Sequence, residues 1–241
     1  MVMHTHAIGW ASGGITRSLC AVAGMLSLLW VGDRSSVESE IRSMSKDEAL
    51  IAAAEQNDFV SVARFLKEGA NVKAQDDRGR TALLVATERN SIQAAKLLIA
   101  AGADVNAQDH QLDSPLLLAG ASGRLEILKL VLKASPNFKV YNRYGGTALI
   151  PACERGHVEV VKELLKTDID INHVNRLGWT ALLEAILLSD GGPKHQEIVR
   201  LLVAAGADVN LPDGEGITPL QHARQKGYRK IVDILSSHGA R

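Results

Sequence analysis

Rings are scarce in this chain: only 4% of its 241 residues are aromatic, three each of Trp, Tyr and Phe. Any core must therefore be aliphatic, and the 46% hydrophobic content is enough to build one from thin stacked elements. Net charge is missing too, with 27 basic residues against 27 acidic, so no global field draws the chain to nucleic acid or to an anionic membrane. The two cysteines, Cys20 and Cys153, lie far apart in unlike segments and imply no disulfide framework. Catalytic signatures are equally absent. The eight histidines show no H-E-x-x-H pair, and no cysteine spacing suits zinc. There is no G-x-S-x-G elbow and no Walker-spaced lysine. No catalytic residue, cofactor or metal is expected. The longest apolar run, Leu19–Gly32, is about fourteen residues, short of the roughly twenty that cross a bilayer.

What the chain does have is a repeat. The stretch Thr81–Gln108, TALLVATERNSIQAAKLLIAAGADVNAQ, returns in the same frame at Ser114, Thr147, Thr180 and Thr218. The first three steps are 33 residues and the last is 38, so one unit carries an insertion. A period in the thirties points to stacked units that each bury an apolar face against their neighbours. Within a unit, Thr81 reads as the N-cap of a short helix through Leu83–Ala86. The polar break Glu88–Ser91 turns the chain, and Ile92, Ala95, Leu97, Leu98 and Ile99 form the stripe of a second, returning helix. Gly102 ends that helix in a left-handed conformation, as do Gly69, Gly206 and Gly239 in other units. The following Asp/Asn/Gly tail makes a hairpin to the next cap. A first unit precedes these five, and there Ser45 with Glu48 supplies a capping box in place of threonine.

The motifs T-P-L-x-x-A at Thr218–Ala223, G-H-V-E-V-V-K-E-L-L at Gly156–Leu165 and G-A-D-V-N at Gly102–Asn106 and Gly206–Asn210, at period 33, resemble those of ankyrin-repeat proteins. Units four and five, GGTALIPACERGHVEVVKELL and GWTALLEAILLSDGG, further resemble small stand-alone bacterial ankyrin proteins. The resemblance covers roughly residues 45–241. It implies an all-α solenoid of about six helix-turn-helix repeats with short hairpin loops, at about 45–79, 80–112, 113–145, 146–178, 179–216 and 217–241, within a domain spanning 44–241. It further implies a monomeric, non-catalytic module that binds a protein partner, with no nucleic acid.

Residues 1–43 fall outside the frame. Three readings compete for them: an upstream extension, with translation starting at Met44, or a disordered leader; a secretory signal; or a membrane anchor through residues 17–32. Against export, Arg17 stands alone among the basic residues before the run, and no small-x-small cleavage site follows it. The first reading makes the protein cytoplasmic. The others make it an exported or inner-membrane-tethered ankyrin protein acting in the periplasm or on a host partner.

Departures from the frame carry further expectations. Leu112 in place of a hairpin glycine and Ser135-Pro136 in place of Gly-Ala predict a less regular hairpin between units three and four. Pro151, near the fourth position of its helix, should lose one intrahelical bond and tilt the first turn. Cys153 reads as a small buried hydrophobe, and His157 and His222 as structural. Asp190–His195 should be a tolerated surface loop. An enzymatic reading ranks last and would need activity that dies on changing Glu154, His157 or Cys153.

In ankyrin-like stacks the partner is held by hairpin tips and first-helix ends lining the concave side. Those places here are Asp77, Arg78, Arg80, Glu88 and Arg89, then His110, Gln111 and Asp113. Units four and five contribute Arg143, Tyr144, Glu154, Arg155, Arg176, Leu177, Trp179, Leu187 and Leu188. The first half is polar, whereas the second adds Tyr144, Leu177, Trp179, Leu187 and Leu188, and Arg, Tyr and Trp are the types that dominate interface hot spots. The alternative is that Trp179 and Leu187 pack between adjacent units.

Overall fold

Short helices alternate with hairpins because each unit carries its own start and stop signals. The computed structural model describes residues 44–241, and the readings offered for residues 1–43 lie outside them. Met44–Arg241 forms a compact unit of twelve helices, paired two to a repeat. The first helices are α1 Lys46–Glu55, α3 Ala82–Glu88, α5 Pro115–Ala121, α7 Leu149–Glu154, α9 Ala181–Leu187 and α11 Pro219–Gln225. The second helices are α2 Phe59–Lys67, α4 Ile92–Ala100, α6 Leu125–Lys133, α8 Val158–Leu164, α10 Pro193–Ala204 and α12 Arg229–Ser237. First helices pack on first helices of adjacent units, and second on second. Each repeat thus buries its apolar face against its neighbours, as the period implied.

The caps explain the helix starts. Thr81, Thr180 and Thr218 each accept the N–H three residues on, at 3.2–3.3 Å. Ser45 and Glu48 form the expected capping box (2.8 and 3.2 Å). Unit four is the exception. Pro151 has no N–H to give the Thr147 carbonyl, where the other units place a bond such as Val85 N–H to Thr81 O at 3.0 Å. The helix there starts only at Leu149, and the buried Thr147 hydroxyl is left without a partner. The proline therefore removes the cap as well as the one bond expected.

Two glycine substitutions behave differently from expectation. Leu112 and Ser135 take up left-handed backbone themselves (φ 60° and 54°), at a cost of about 1 kcal/mol each. Both hairpins around unit three stay regular: Asp109 N–H reaches Asp113 O, and Asn142 N–H reaches Gly146 O, each at 3.0 Å. What holds every hairpin is an Asp or Asn five residues before the cap. Asp76, Asp109, Asn142, Asn175 and Asp213 each accept two backbone N–H groups on one side-chain oxygen, at 2.8–3.0 Å.

Leu50, Leu83, Leu98, Leu128, Leu149, Leu164, Leu183 and Ile186 are wholly buried, which makes the core aliphatic. On α4 the deepest residues are Ala94, Ala95 and Leu98, with Ile92, Leu97 and Ile99 half-buried against the core. The insertion is only partly a loop, since Pro193–His195 form the first turn of the longer α10.

Candidate functional site

The hairpin tips and first-helix ends differ sharply between the two halves of the stack. At unit two the surface is a closed network of charges. Arg80, 5% exposed, pairs with Asp76 and Glu88, both at 2.7 Å, and lies 3.9 Å from Glu55, which also takes Arg89 at 2.9 Å. Arg80, expected at the interface, is instead buried, because desolvating its guanidinium is offset by carboxylates on two sides. At unit three Asp113 sits 3.8 Å from Arg143, and burial, with Asp109 adding, pushes its carboxyl up to about 6.

Units four and five are built differently. Arg143 lies over the Tyr144 ring at 5.1 Å, within cation–π range. Arg176 bridges the two tips: its backbone N–H donates to Tyr144 O (2.9 Å) and its Nη1 to Arg143 O (3.1 Å). The stem of Arg176 lies across Gly145, where a Cβ would come within 2.9 Å of Cγ. That contact and the left-handed φ of 71° together exclude a side chain at Gly145. Asn175 fixes Leu177 and Trp179 through their N–H groups. Arg143, Tyr144, Arg176, Leu177 and Trp179 thus share one ridge.

Glu154, Leu187 and the cap residues Arg155 and Leu188 stand at the far ends of α7 and α9. Arg155 donates to Ala121 O at 2.8 Å, and Glu154 O is taken by His195 Nε2 at 2.9 Å. Leu187 is half-buried and Leu188 exposed. Trp179 and Leu187 occupy the positions that Arg80 and Glu88 hold in unit two. Since Arg80 and Glu88 touch, these positions lie on one side of their helix. Where unit two closes its surface with a salt bridge, unit five presents a ring and an aliphatic chain.

Beneath them is a pair that sequence reasoning missed. Glu184, 5% exposed, accepts from Asn175 Nδ2 at 2.8 Å. Burial, followed by the Glu154 charge, pushes it up to about 7. A charged residue among the apolar positions of a first helix was the available signal, as was the recurrence of Asp or Asn five residues before each cap. In unit six the same geometry joins His222 to Asp213 at 2.7 Å, which makes His222 structural.

The opposite ends of the units hold a second ladder. His157 Nε2 reaches Ala121 O (3.2 Å), His195 Nε2 reaches Glu154 O, and the Tyr228 hydroxyl donates to Ser189 O (2.6 Å). Each ring stands over a left-handed glycine of the preceding unit: Gly123, Gly156 and Gly191. The insertion is therefore held on both sides, by its own His195 on Glu154 O of the preceding unit and by Tyr228 of the next repeat on Ser189 O, and neither role was visible in the motif. Cys153 is fully buried, and desolvation, with Glu184 second, drives its thiol well above the usual range. Such a thiol is a poor nucleophile. Among the described residues no group of three His, Cys, Asp or Glu could hold a metal, and no helix is long and apolar enough to cross a membrane.

Capped helix pairs linked by Asx-held hairpins, stacked at a 33-residue step, define a helical repeat solenoid. The chain belongs to the ankyrin repeat family, whose model for ankyrin repeats in three copies matches residues 19–109, 116–213 and 177–241. It is 54% identical to an ankyrin repeat domain of Acinetobacter baumannii AYE, covering 80% of this chain and 98% of that one at a TM-score of 0.78. The ankyrin repeat protein EF0377 is 44% identical, with the same coverage and TM-score. YahD of Escherichia coli (strain K12), named for ankyrin repeats, is 50% identical over 58 residues, 24% of this chain and only 29% of YahD. Ankyrin repeats are a general protein–protein interaction module, and the family's scaffolds are generally non-catalytic.

Proposed function

We propose that this protein is a non-catalytic binding module that grips a protein partner on the concave side of units four and five. Arg143, Tyr144, Arg176, Leu177 and Trp179 form the centre of the surface, and Glu154, Arg155, Leu187 and Leu188 its edge. One observation carries the reading: positions that unit two closes with the Arg80–Glu88 ion pair are apolar in unit five, at Trp179 and Leu187. Leu177 and Leu188 beside them are 45% and 43% exposed. An interface core is depleted of charge and enriched in aromatic and arginine anchors, which fits unit five and not unit two. Along the outer helices α6, α8 and α10 charges of opposite sign neutralise one another, in the pairs Lys129–Glu126, Lys162–Glu159 and Arg200–Glu197 at 2.8–3.1 Å.

The test is to place a photo-crosslinking residue at Leu177, identify what it captures in cells, and measure the affinity with purified partner. Trp179→Ala and Tyr144→Ala should each weaken binding by about 1 kcal/mol or more with the far-UV spectrum unchanged, and Asp77→Ala should do little. Normal binding by both aromatic variants, or outright unfolding of Trp179→Ala, would instead assign these rings to packing between repeats.

A further inference from the structure

Charge complementarity on this surface specifies what the partner brings. Three arginines of the ridge and its N-terminal neighbours are matched by carboxylates: Arg80 by Asp76 and Glu88, Arg89 by Glu55, Arg143 by Asp113. Arg176 is exposed, and its guanidinium has no carboxylate within ion-pair distance among the described residues. Its stem is pinned over Gly145 and one nitrogen is tied to Arg143 O, so the charge is held in place but not neutralised. On one side of it stands half-buried Tyr144, and on the other exposed Leu177 and half-buried Trp179. Unit six has Gly214 at the position equivalent to Arg176, so beyond Leu177 a Cβ built on Gly178 would meet only the Gly214 backbone, at 3.0 Å. No side chain of the unit-six tip stands against Gly178, and Leu177 beside it is exposed.

We propose that the occupant is a segment of a partner protein in which a large apolar side chain stands beside a carboxylate. The apolar group sits on Leu177 and Trp179, and Arg176 takes the carboxylate in a forked, charge-assisted pair. The exposed Glu215 on the unit-six tip repels a second carboxylate there, so the acidic end points toward unit four. A lysine- or arginine-bearing segment would meet Arg143 and Arg176 with like charge. This inference rests on the docking reading above.

Selection of a random-peptide phage library on the intact chain tests it. Enriched sequences should pair Asp or Glu with Leu, Ile, Phe, Met or Trp. A synthetic peptide of that consensus should bind Arg176→Glu at least about tenfold more weakly. Replacing its carboxylate by lysine should recover affinity for that variant. A basic or uncharged consensus, or indifference to Arg176→Glu, overturns the proposal. If Trp179→Ala and Leu188→Asp then still abolish binding, the docking surface stands and only the carboxylate assignment falls. If those variants also bind normally, or nothing is enriched over background, both fall.

Discussion

Unit four starts its first helix with a defect that can be repaired, and the repair tests the capping argument. In the other threonine-capped units the cap hydroxyl accepts one N–H and the cap carbonyl another, as at Thr81 with Leu84 and Val85. Pro151 denies Thr147 the second bond, and the shifted turn denies it the first, leaving a buried hydroxyl unpaired. Pro151→Val places at this position the residue that unit two carries as Val85, with similar volume. Each restored bond contributes about 0.5 to 1.5 kcal/mol, while losing the proline's restriction of the unfolded chain costs about 0.4 to 1 kcal/mol. The net expectation is stabilisation by about 1 to 2 kcal/mol, read as a shift of the urea midpoint at constant slope. A double-mutant cycle sharpens it. Thr147→Val should be neutral within about 0.5 kcal/mol in the natural sequence and should cost about 1 kcal/mol beside Pro151→Val, matching Thr81→Val. If Thr147→Val already costs as much as Thr81→Val in the natural sequence, the cap is intact and the reasoning fails.

Two more outcomes follow from buried polar groups. Glu184 titrates near 7 in the fold against an ordinary 4.5, so burial penalises its charged form. The sign is fixed: the contribution of Glu184 to folded stability is greatest below about pH 4.5 and is lost as pH rises through about 7. Glu184→Gln keeps the bond from Asn175 and should gain up to about 3 kcal/mol over the natural chain near pH 8, and nothing near pH 4.5. A pH-independent difference in denaturant titrations would refute this. At the insertion, Tyr228→Phe loses the bond to Ser189 O and should cost about 1 kcal/mol. Gly191→Ala should cost more, because its Cβ would stand 2.5 Å from the Tyr228 ring on backbone of φ 67°. Limited proteolysis between Leu188 and Gly192 should speed up in both, and unchanged cleavage would mean that the loop is not clamped.

The period, the caps at Thr81, Thr180 and Thr218, the Ser45–Glu48 box and the left-handed glycines were all legible in the chain. Each is a local rule: a hydroxyl or a missing Cβ acts on backbone within a few residues, so the residue and its neighbours suffice. The 33-residue step also placed Tyr144 and Leu177 at equivalent hairpin positions, and with them the candidate surface. Decisions between repeats were not legible. Arg80 reads as an exposed tip residue and is buried, because Asp76 of its own hairpin and Glu88 at the far end of α3 both take it at 2.7 Å, with Glu55 of the first repeat 3.9 Å away. Asp190–His195 reads as a free loop and is clamped, because Tyr228 of the next repeat reaches back to Ser189. Glu184 went unremarked in the sequence and is buried, paired with an amide from the preceding hairpin. A repeat sequence specifies what each residue can do within its own unit. Which desolvated charge finds a partner depends on side chains in other elements, four to nine residues along the chain for Arg80 and Glu184 and a repeat away for the Tyr228–Ser189 clamp, and only the folded stack brings those within hydrogen-bond reach.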